Sequence, residues 1–201
     1  MKTLICKTKN MFRLFSELIF LRLLGWNIEG RFPKLLKYVV AVVPHTSWID
    51  FFVGLMVRTI SGEQINFVGK KELFTPYLGW VFKLLGGTPI DRSGPGGSVK
   101  SIVKIFIEHK KFRIALAPEG TREKVEQLKT GYYHIAKQLK IPIVPVTFDY
   151  RNKRIIIHPK FYTTNNESGD LKKLETYLNS ELSIKIQNSL IGRQIPSSSR
   201  Q

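Results

Sequence analysis

The chain has 201 residues, of which 43% are hydrophobic, and it carries one cysteine, Cys6. This composition excludes a disordered chain and a disulfide-stapled scaffold, suits a reducing cytoplasm, and favours a single domain with a substantial core. The formal net charge is +17, from 32 Lys and Arg against 15 Asp and Glu. Such an excess predicts an anionic partner, which on charge alone is a membrane phospholipid, a nucleic acid or an acidic carrier protein.

The first predicted element is an apolar helix over residues 11–24. Arg13, Glu17 and Arg22 interrupt it, so no stretch approaches the roughly 20 apolar residues that a membrane span requires. The face opposite Arg13 and Glu17 carries Phe12, Phe15, Ile19 and Leu23. This pattern is typical of a helix lying on an anionic membrane surface, but a packed core helix would also show it. A cleaved signal peptide is not expected, because charges break the apolar region.

Strand-like and helix-like segments alternate after this helix. Strands are predicted at Tyr38–Val43, Ile65–Gly69, Gly87–Ile90, Phe112–Leu116, Ile143–Phe148 and Arg154–His158. Helices are predicted at Ser98–His109, Tyr132–Leu139 and Asp170–Gln187. The alternation predicts a single α/β domain with a mixed, largely parallel sheet flanked by helices. The expected division is a basic, apolar, membrane-associating segment at 1–35, the globular domain at 36–192 and a disordered tail at 193–201.

The most informative residues are His45 and Asp50, which follow the first predicted strand. Across a strand-to-helix turn their side chains can meet, whereas on one continuous helix they would point to different faces. The carboxylate would then orient the imidazole, leaving the other ring nitrogen to take a proton from an alcohol. This is half of a charge-relay arrangement without an enzyme nucleophile, which suggests that the attacking hydroxyl belongs to the substrate. The pair alone also fits a hydrogen-bonded structural histidine.

Polar groups follow three other predicted strands. Arg92 lies in a glycine-rich run, where its planar guanidinium suits a phosphate, although a surface turn would explain the same residues. Lys70 ends a strand and is either an ordinary solvated lysine or a phosphate contact. Residues 118–122 read Pro-Glu-Gly-Thr-Arg and follow the strand at Phe112–Leu116. Because ligands of open α/β sheets bind outside the carboxyl ends of the strands, these groups can face one site.

Four segments, taken in chain order, resemble the glycerolipid acyltransferases, whose best-known members are the 1-acylglycerol-3-phosphate acyltransferases. They are His45–Asp50 as a His-x4-Asp block, Gly87–Arg92, Pro118–Arg122 and Ile141–Val146. The chain departs from the family's usual pattern at Pro44, Ala117 and Glu123, where many members have Asn, Phe or Val, and Ser respectively. These departures remove none of the proposed catalytic groups.

The resemblance implies acyl transfer without a metal, a cofactor or a covalent acyl-enzyme. His45, oriented by Asp50, would remove the proton of the acceptor hydroxyl as it attacks the thioester of acyl-CoA or acyl-carrier protein. The implied substrate-binding residues are Lys70, Arg92, Glu119, Gly120, Thr121 and Arg122. Lys70, Arg92 and Arg122 would hold the acceptor phosphate. Glu119 would bind glycerol hydroxyls or orient the arginines, and Gly120 and Thr121 would shape the loop that carries them.

The resulting expectation is acyl transfer to the free hydroxyl of lysophosphatidic acid, giving phosphatidic acid, with 36–192 as the acyltransferase domain. The protein would act at the cytoplasmic face of a membrane, attached peripherally or monotopically to anionic lipid, and would bind no nucleic acid. Alternatives are transfer to another lysophospholipid or a lipid amine, and a CoA-independent transacylase. A non-catalytic module that binds membrane or nucleic acid is the remaining alternative, but it does not explain residues 118–122 beside the His–Asp pair.

Overall fold

The computed structural model describes residues 11–43, 49–75, 77, 79–90, 96–119 and 129–179. Within these ranges, seven strands form one sheet in the order β1-β7-β6-β2-β5-β3-β4. The strands are β1 (Asn27–Glu29), β2 (Lys37–Val43), β3 (Asn66–Lys70), β4 (Gly87–Ile90), β5 (Phe112–Leu116), β6 (Ile143–Asp149) and β7 (Arg154–Ile157). Neighbouring strands pair in parallel except for β6 and β7, which are antiparallel. The prediction of an α/β fold with a largely parallel sheet is confirmed.

Helices cover both faces of this sheet. The first, α1, is α-helical over residues 11–17 and continues as a π-helix at Leu18–Leu23. The others are α2 (Ile49–Ile60), α3 (Gly79–Leu84), α4 (Gly97–Glu108), α5 (Gly131–Leu139) and α6 (Glu167–Asn179), with a short 3₁₀ turn at Lys71–Leu73. Among the described residues, no helix is both long enough and apolar enough to cross a bilayer.

The sequence of β2 accounts for its place at the centre of the sheet. It lies between β5 and β6, and a parallel strand covered on both faces requires a continuous run of apolar, β-branched residues. Val39, Ala41 and Val43 pack on one face with residues of α4, α5 and α6. Tyr38 and Val40 pack on the other face with residues of α1 and α2. The period-2 alternation of a strand therefore divides the core into two layers.

The fold brings the carboxyl ends of five strands to a single edge. Strands β2 to β6 all run in the same direction, so they end together at Val43, Lys70, Ile90, Leu116 and Asp149. This edge is called the carboxyl edge below, and the opposite one the amino edge. The predicted site residues follow these strand ends, as the position of ligand sites in open α/β sheets requires.

An ion pair between the buried Arg113 and the half-buried Glu63 lies at the amino edge. The guanidinium of Arg113, on β5, donates to the Glu63 carboxylate and, from Nε at 2.8 Å and Nη2 at 2.6 Å, to the carbonyl oxygen of Leu35. The same guanidinium lies 5.1 Å from the ring centroid of Tyr38. These contacts hold the segment before β2 and the segment after α2 against β5.

Candidate active site

Asp50 occupies the first turn of α2, just beyond the carboxyl end of β2, and is only 3% exposed. A carboxylate in this position favours the helix, because it lies near the positive end of the helix dipole. Its predicted partner His45 lies outside the described residues. The strand-to-helix turn expected around the motif agrees with β2 ending at Val43 and α2 beginning at Ile49. The pairing of His45 with Asp50 stays a prediction.

Tyr150 is the residue that the sequence analysis missed. It follows the last residue of β6, and its hydroxyl donates a hydrogen bond to Oδ1 of Asp50. Burial, together with the hydrogen bond to Asp50 and the charge of Asp50, raises the pKa of the Tyr150 phenol. The phenol therefore stays neutral and remains a donor at physiological pH. In the sequence, the one feature that points to Tyr150 is a tyrosine directly after the long apolar run of β6.

Aromatic rings fix the position of Tyr150. Trp26 packs edge to face against the Tyr150 ring, with ring centroids 5.2 Å apart. The ring centroid of Phe148 lies 6.3 Å from that of Tyr150. Trp26 is in turn stacked on Phe20 of α1 at 5.3 Å, and Phe20 is fully buried. Contacts of this kind contribute about 0.5–1.5 kcal/mol each beyond area burial. The ring series Phe20–Trp26–Tyr150, called the aromatic series below, thus runs from α1 to the Asp50 carboxylate.

Glu119 lies beyond the carboxyl end of β5 and is 5% exposed. The backbone N–H of Lys129 donates to the carbonyl oxygen of Pro118 at 2.6 Å, so these two residues lie side by side. Gly120, Thr121 and Arg122 lie outside the described residues. The structure therefore places Glu119 at the carboxyl edge, and it brings Pro118 and Lys129 into contact.

The two remaining predicted residues follow neighbouring strands at the same edge. Lys70 is the last residue of β3 and pairs in register with Ile90, the last residue of β4; of Lys70 the backbone is described but not the side chain. Arg92 comes shortly after Ile90 and lies outside the described residues. Their roles as phosphate ligands stay predictions.

A surface cavity of about 390 Å³ lies away from this edge. Its lining comes from α1, the segment after β1 and the carboxyl-terminal end of α2, and includes Leu21, Arg31, Ile60 and Glu63. Ile60 is the last residue of α2, and Asp50 lies in the first turn of the same helix. A helix of this length separates its two ends by roughly 15 Å. The cavity is therefore distinct from the candidate active site.

The fold and the position of Asp50 define a class of α/β protein that binds its ligand at the carboxyl edge of a parallel sheet. Comparison with known proteins narrows that class. A family model described as Acyltransferase matches residues 28–149, from β1 to the end of β6. Because the match covers more than half of the chain, the chain belongs to the acyltransferase family.

Individual relatives carry a more specific name. The chain is similar to the 1-acyl-sn-glycerol-3-phosphate acyltransferase of Saccharomyces cerevisiae, with 34% identity over 137 residues, which are 64% of this chain and 44% of that protein. The protein of that name from Cocos nucifera is 31% identical over 112 residues, 53% of this chain and 36% of the relative. The Escherichia coli protein is 35% identical over 94 residues, 44% of this chain and 38% of the relative.

The chain spans only part of these relatives, from 36% to 61% of the length of the first four curated proteins that it matches. Among solved structures, it is similar to the 1-acyl-sn-glycerophosphate (LPA) acyltransferase PlsC from Thermotoga maritima. That likeness has a TM-score of 0.63 at 20% identity and covers 88% of this chain and 79% of the other. It shows that the two chains share a fold.

Proposed function

We propose that this protein transfers a fatty acyl group from acyl-CoA or acyl-carrier protein to the free hydroxyl of lysophosphatidic acid, giving phosphatidic acid. The observation that carries the proposal is the buried Asp50 carboxylate in the first turn of α2, at the carboxyl edge and within the region that matches the family. The names of the relatives from yeast, coconut and E. coli supply the acceptor and the reaction.

In the proposed reaction, His45 is the general base and Asp50 orients it. The imidazole takes the proton of the acceptor hydroxyl while that oxygen attacks the thioester carbonyl, forming the new C–O bond. Collapse of the tetrahedral intermediate breaks the C–S bond, and the imidazolium returns the proton to the leaving thiolate. The negative charge of Asp50 stabilises the imidazolium between these two steps. The chemistry needs no metal, cofactor or covalent enzyme intermediate.

The acceptor phosphate is bound, in this proposal, by cations that follow the ends of β3, β4 and β5. Arg122 and Arg92 offer planar guanidinium groups that can each donate two hydrogen bonds to one phosphate, and Lys70 adds a point charge. The buried Glu119 orients these arginines or accepts from the glycerol hydroxyls, while Gly120 and Thr121 shape the segment between them.

We further propose that α1 docks on the cytoplasmic face of an anionic membrane as a peripheral or monotopic attachment. The helix packs on the domain through the buried Phe20. Its predicted apolar face is left outside, with Phe12 67%, Phe15 58% and Leu23 73% exposed. A packed core helix would bury that face, so the exposure favours the interfacial interpretation. Flotation with anionic vesicles should weaken for Phe12→Glu with Phe15→Glu; undiminished flotation would reject the docking proposal.

The enzymatic proposal is tested with purified protein, labelled acyl-CoA or acyl-carrier protein, and a panel of lysolipids that includes lysophosphatidic acid and uncharged or amine acceptors. Transfer to lysophosphatidic acid is expected, and His45→Ala should reduce it by about 10²–10⁴-fold, the usual contribution of a general base. Arg122→Ala should raise KM for phosphate-bearing acceptors while leaving the other acceptors unchanged. Turnover by His45→Ala at the wild-type rate would reject the general base, and preference for another acceptor would reassign the substrate.

A further inference from the structure

The contact between Tyr150 and Asp50 gives the carboxylate a fixed orientation. Asp50 is buried in the first turn of α2, and Oδ1 accepts the hydrogen bond of the Tyr150 hydroxyl. The two residues are 100 positions apart in sequence, so the contact joins the end of β6 to the start of α2. A residue that orients a general base raises the reaction rate only if it holds the base in one geometry throughout the reaction.

Tyr150 is itself held in place by other aromatic rings. Trp26 packs edge to face against its ring, and the buried Phe20 stacks on Trp26. The ring of Tyr150 therefore has little freedom to turn its hydroxyl away from Asp50. The phenol also brings no positive charge, so it fixes the carboxylate without neutralising it.

We propose that Tyr150 is a positioning residue of the acyl-transfer reaction, whose hydroxyl holds the Asp50 carboxylate in the rotamer that orients the base. The inference rests on the proposed function. Tyr150 neither gains nor loses a proton: its O–H donates throughout, while the transferred proton moves between the acceptor hydroxyl, His45 and the leaving thiolate.

The central test is Tyr150→Phe, which removes the hydroxyl and keeps the ring. A hydrogen bond to a charged group is strong enough to change a rate about 10-fold, and we expect kcat to fall by that amount with KM unchanged. The remaining Asp50 charge acts more strongly on the imidazole once the phenol is gone. The acidic limb of the pH–rate profile should therefore move to higher pH.

Tyr133→Phe is the matched control. The hydroxyl of Tyr133 donates to Oδ2 of Asp170 at 3.0 Å, so the substitution removes the same kind of bond at the contact between α5 and α6. It should leave kcat and the pH profile unchanged at a temperature where both variants are folded. Equal losses in the two Phe variants would mean that Tyr150 is only structural and would overturn the proposal.

A double-mutant cycle separates positioning through Asp50 from any independent effect. If Tyr150 acts through the carboxylate, Tyr150→Phe lowers kcat in the wild-type background and hardly changes it in Asp50→Asn. The same fold loss in both backgrounds, or a wild-type kcat and pH profile for Tyr150→Phe, would overturn the inference while leaving the acyltransferase proposal standing. A wild-type protein that transfers no acyl group to any acceptor of the panel would reject both proposals.

Discussion

One carboxylate at each edge of the sheet, Glu63 at the amino edge and Asp50 at the carboxyl edge, accepts a hydrogen bond, and the two donors differ in charge. At the amino edge Glu63 accepts from the Arg113 guanidinium, which also reaches the Leu35 carbonyl. At the carboxyl edge Asp50 accepts from the neutral phenol of Tyr150. The Arg113 guanidinium compensates the charge of Glu63, whereas the Tyr150 phenol holds Asp50 without adding a positive charge.

The largest expected effect comes from changing each acid to its amide. Asp50→Asn should lower kcat by about 10²–10⁴-fold with the fold intact, because an amide cannot stabilise the imidazolium. Glu63→Gln makes the same change at the amino edge and should leave the kcat of the folded protein unchanged while lowering its free energy of unfolding. Steady-state kinetics measures kcat, and urea denaturation measures the free energy of unfolding. An equal loss of kcat in the two variants would show that the carboxylates at the two edges do not differ in role.

The second effect is on stability at the amino edge. The side chain of Arg113 is 6% exposed and that of Glu63 18% exposed, so removing one partner leaves a buried charge without its counterion. Arg113→Leu should lower the free energy of unfolding by about 3–5 kcal/mol, measured by urea denaturation. Adding Glu63→Leu should recover part of that loss, because the uncompensated carboxylate is then gone. If Arg113→Leu is as stable as the wild type, the Arg113–Glu63 pair does not stabilise the amino edge.

The smallest effect concerns pH and Asp149, the neighbour of Tyr150. Burial alone would raise the pKa of this carboxyl, but hydrogen bonds from Asn152 and Arg154 and the charge of Arg154 lower it below its ordinary value. A pKa that is lower in the folded state adds stability above the unfolded pKa and loses it as the pH falls through the folded value. The free energy of unfolding should therefore decline below about pH 4, and less steeply in Asp149→Asn. Equal slopes from urea titrations across this range would contradict the assignment.

The sequence predicts the sheet well where strands are buried on both faces. The predicted bounds of β4 and β5 are the observed ones, and β5 is the kind of short apolar run that a covered parallel strand requires. The predicted strands for β2, β6 and β7 differ from the observed ones by one residue at one end, and the predicted β3 differs by one residue at each end. Among the described elements, sequence reasoning missed β1 at Asn27–Glu29, α3 at Gly79–Leu84 and the 3₁₀ turn at Lys71–Leu73, which are too short to show a period.

The site is less accessible to sequence reasoning than the fold. Asp50 and Glu119 are found from local motifs, and the structure places both as buried acids at the carboxyl edge. Tyr150 is not found, because its role depends on a contact that only the packing of β6 beside β2 creates. A helix forms at residues 11–23, and its docking on a membrane stays a proposal. The sequence alone does not determine which face of this helix packs on the domain, whereas the burial of Phe20 and the exposure of Phe12 show it.

The hydrogen bond between the Lys129 N–H and the Pro118 carbonyl has an evolutionary consequence. It involves only backbone atoms, so it places no demand on the side chain of Lys129. Substitutions at this position can therefore accumulate without separating the end of β5 from the residues that lead into α5.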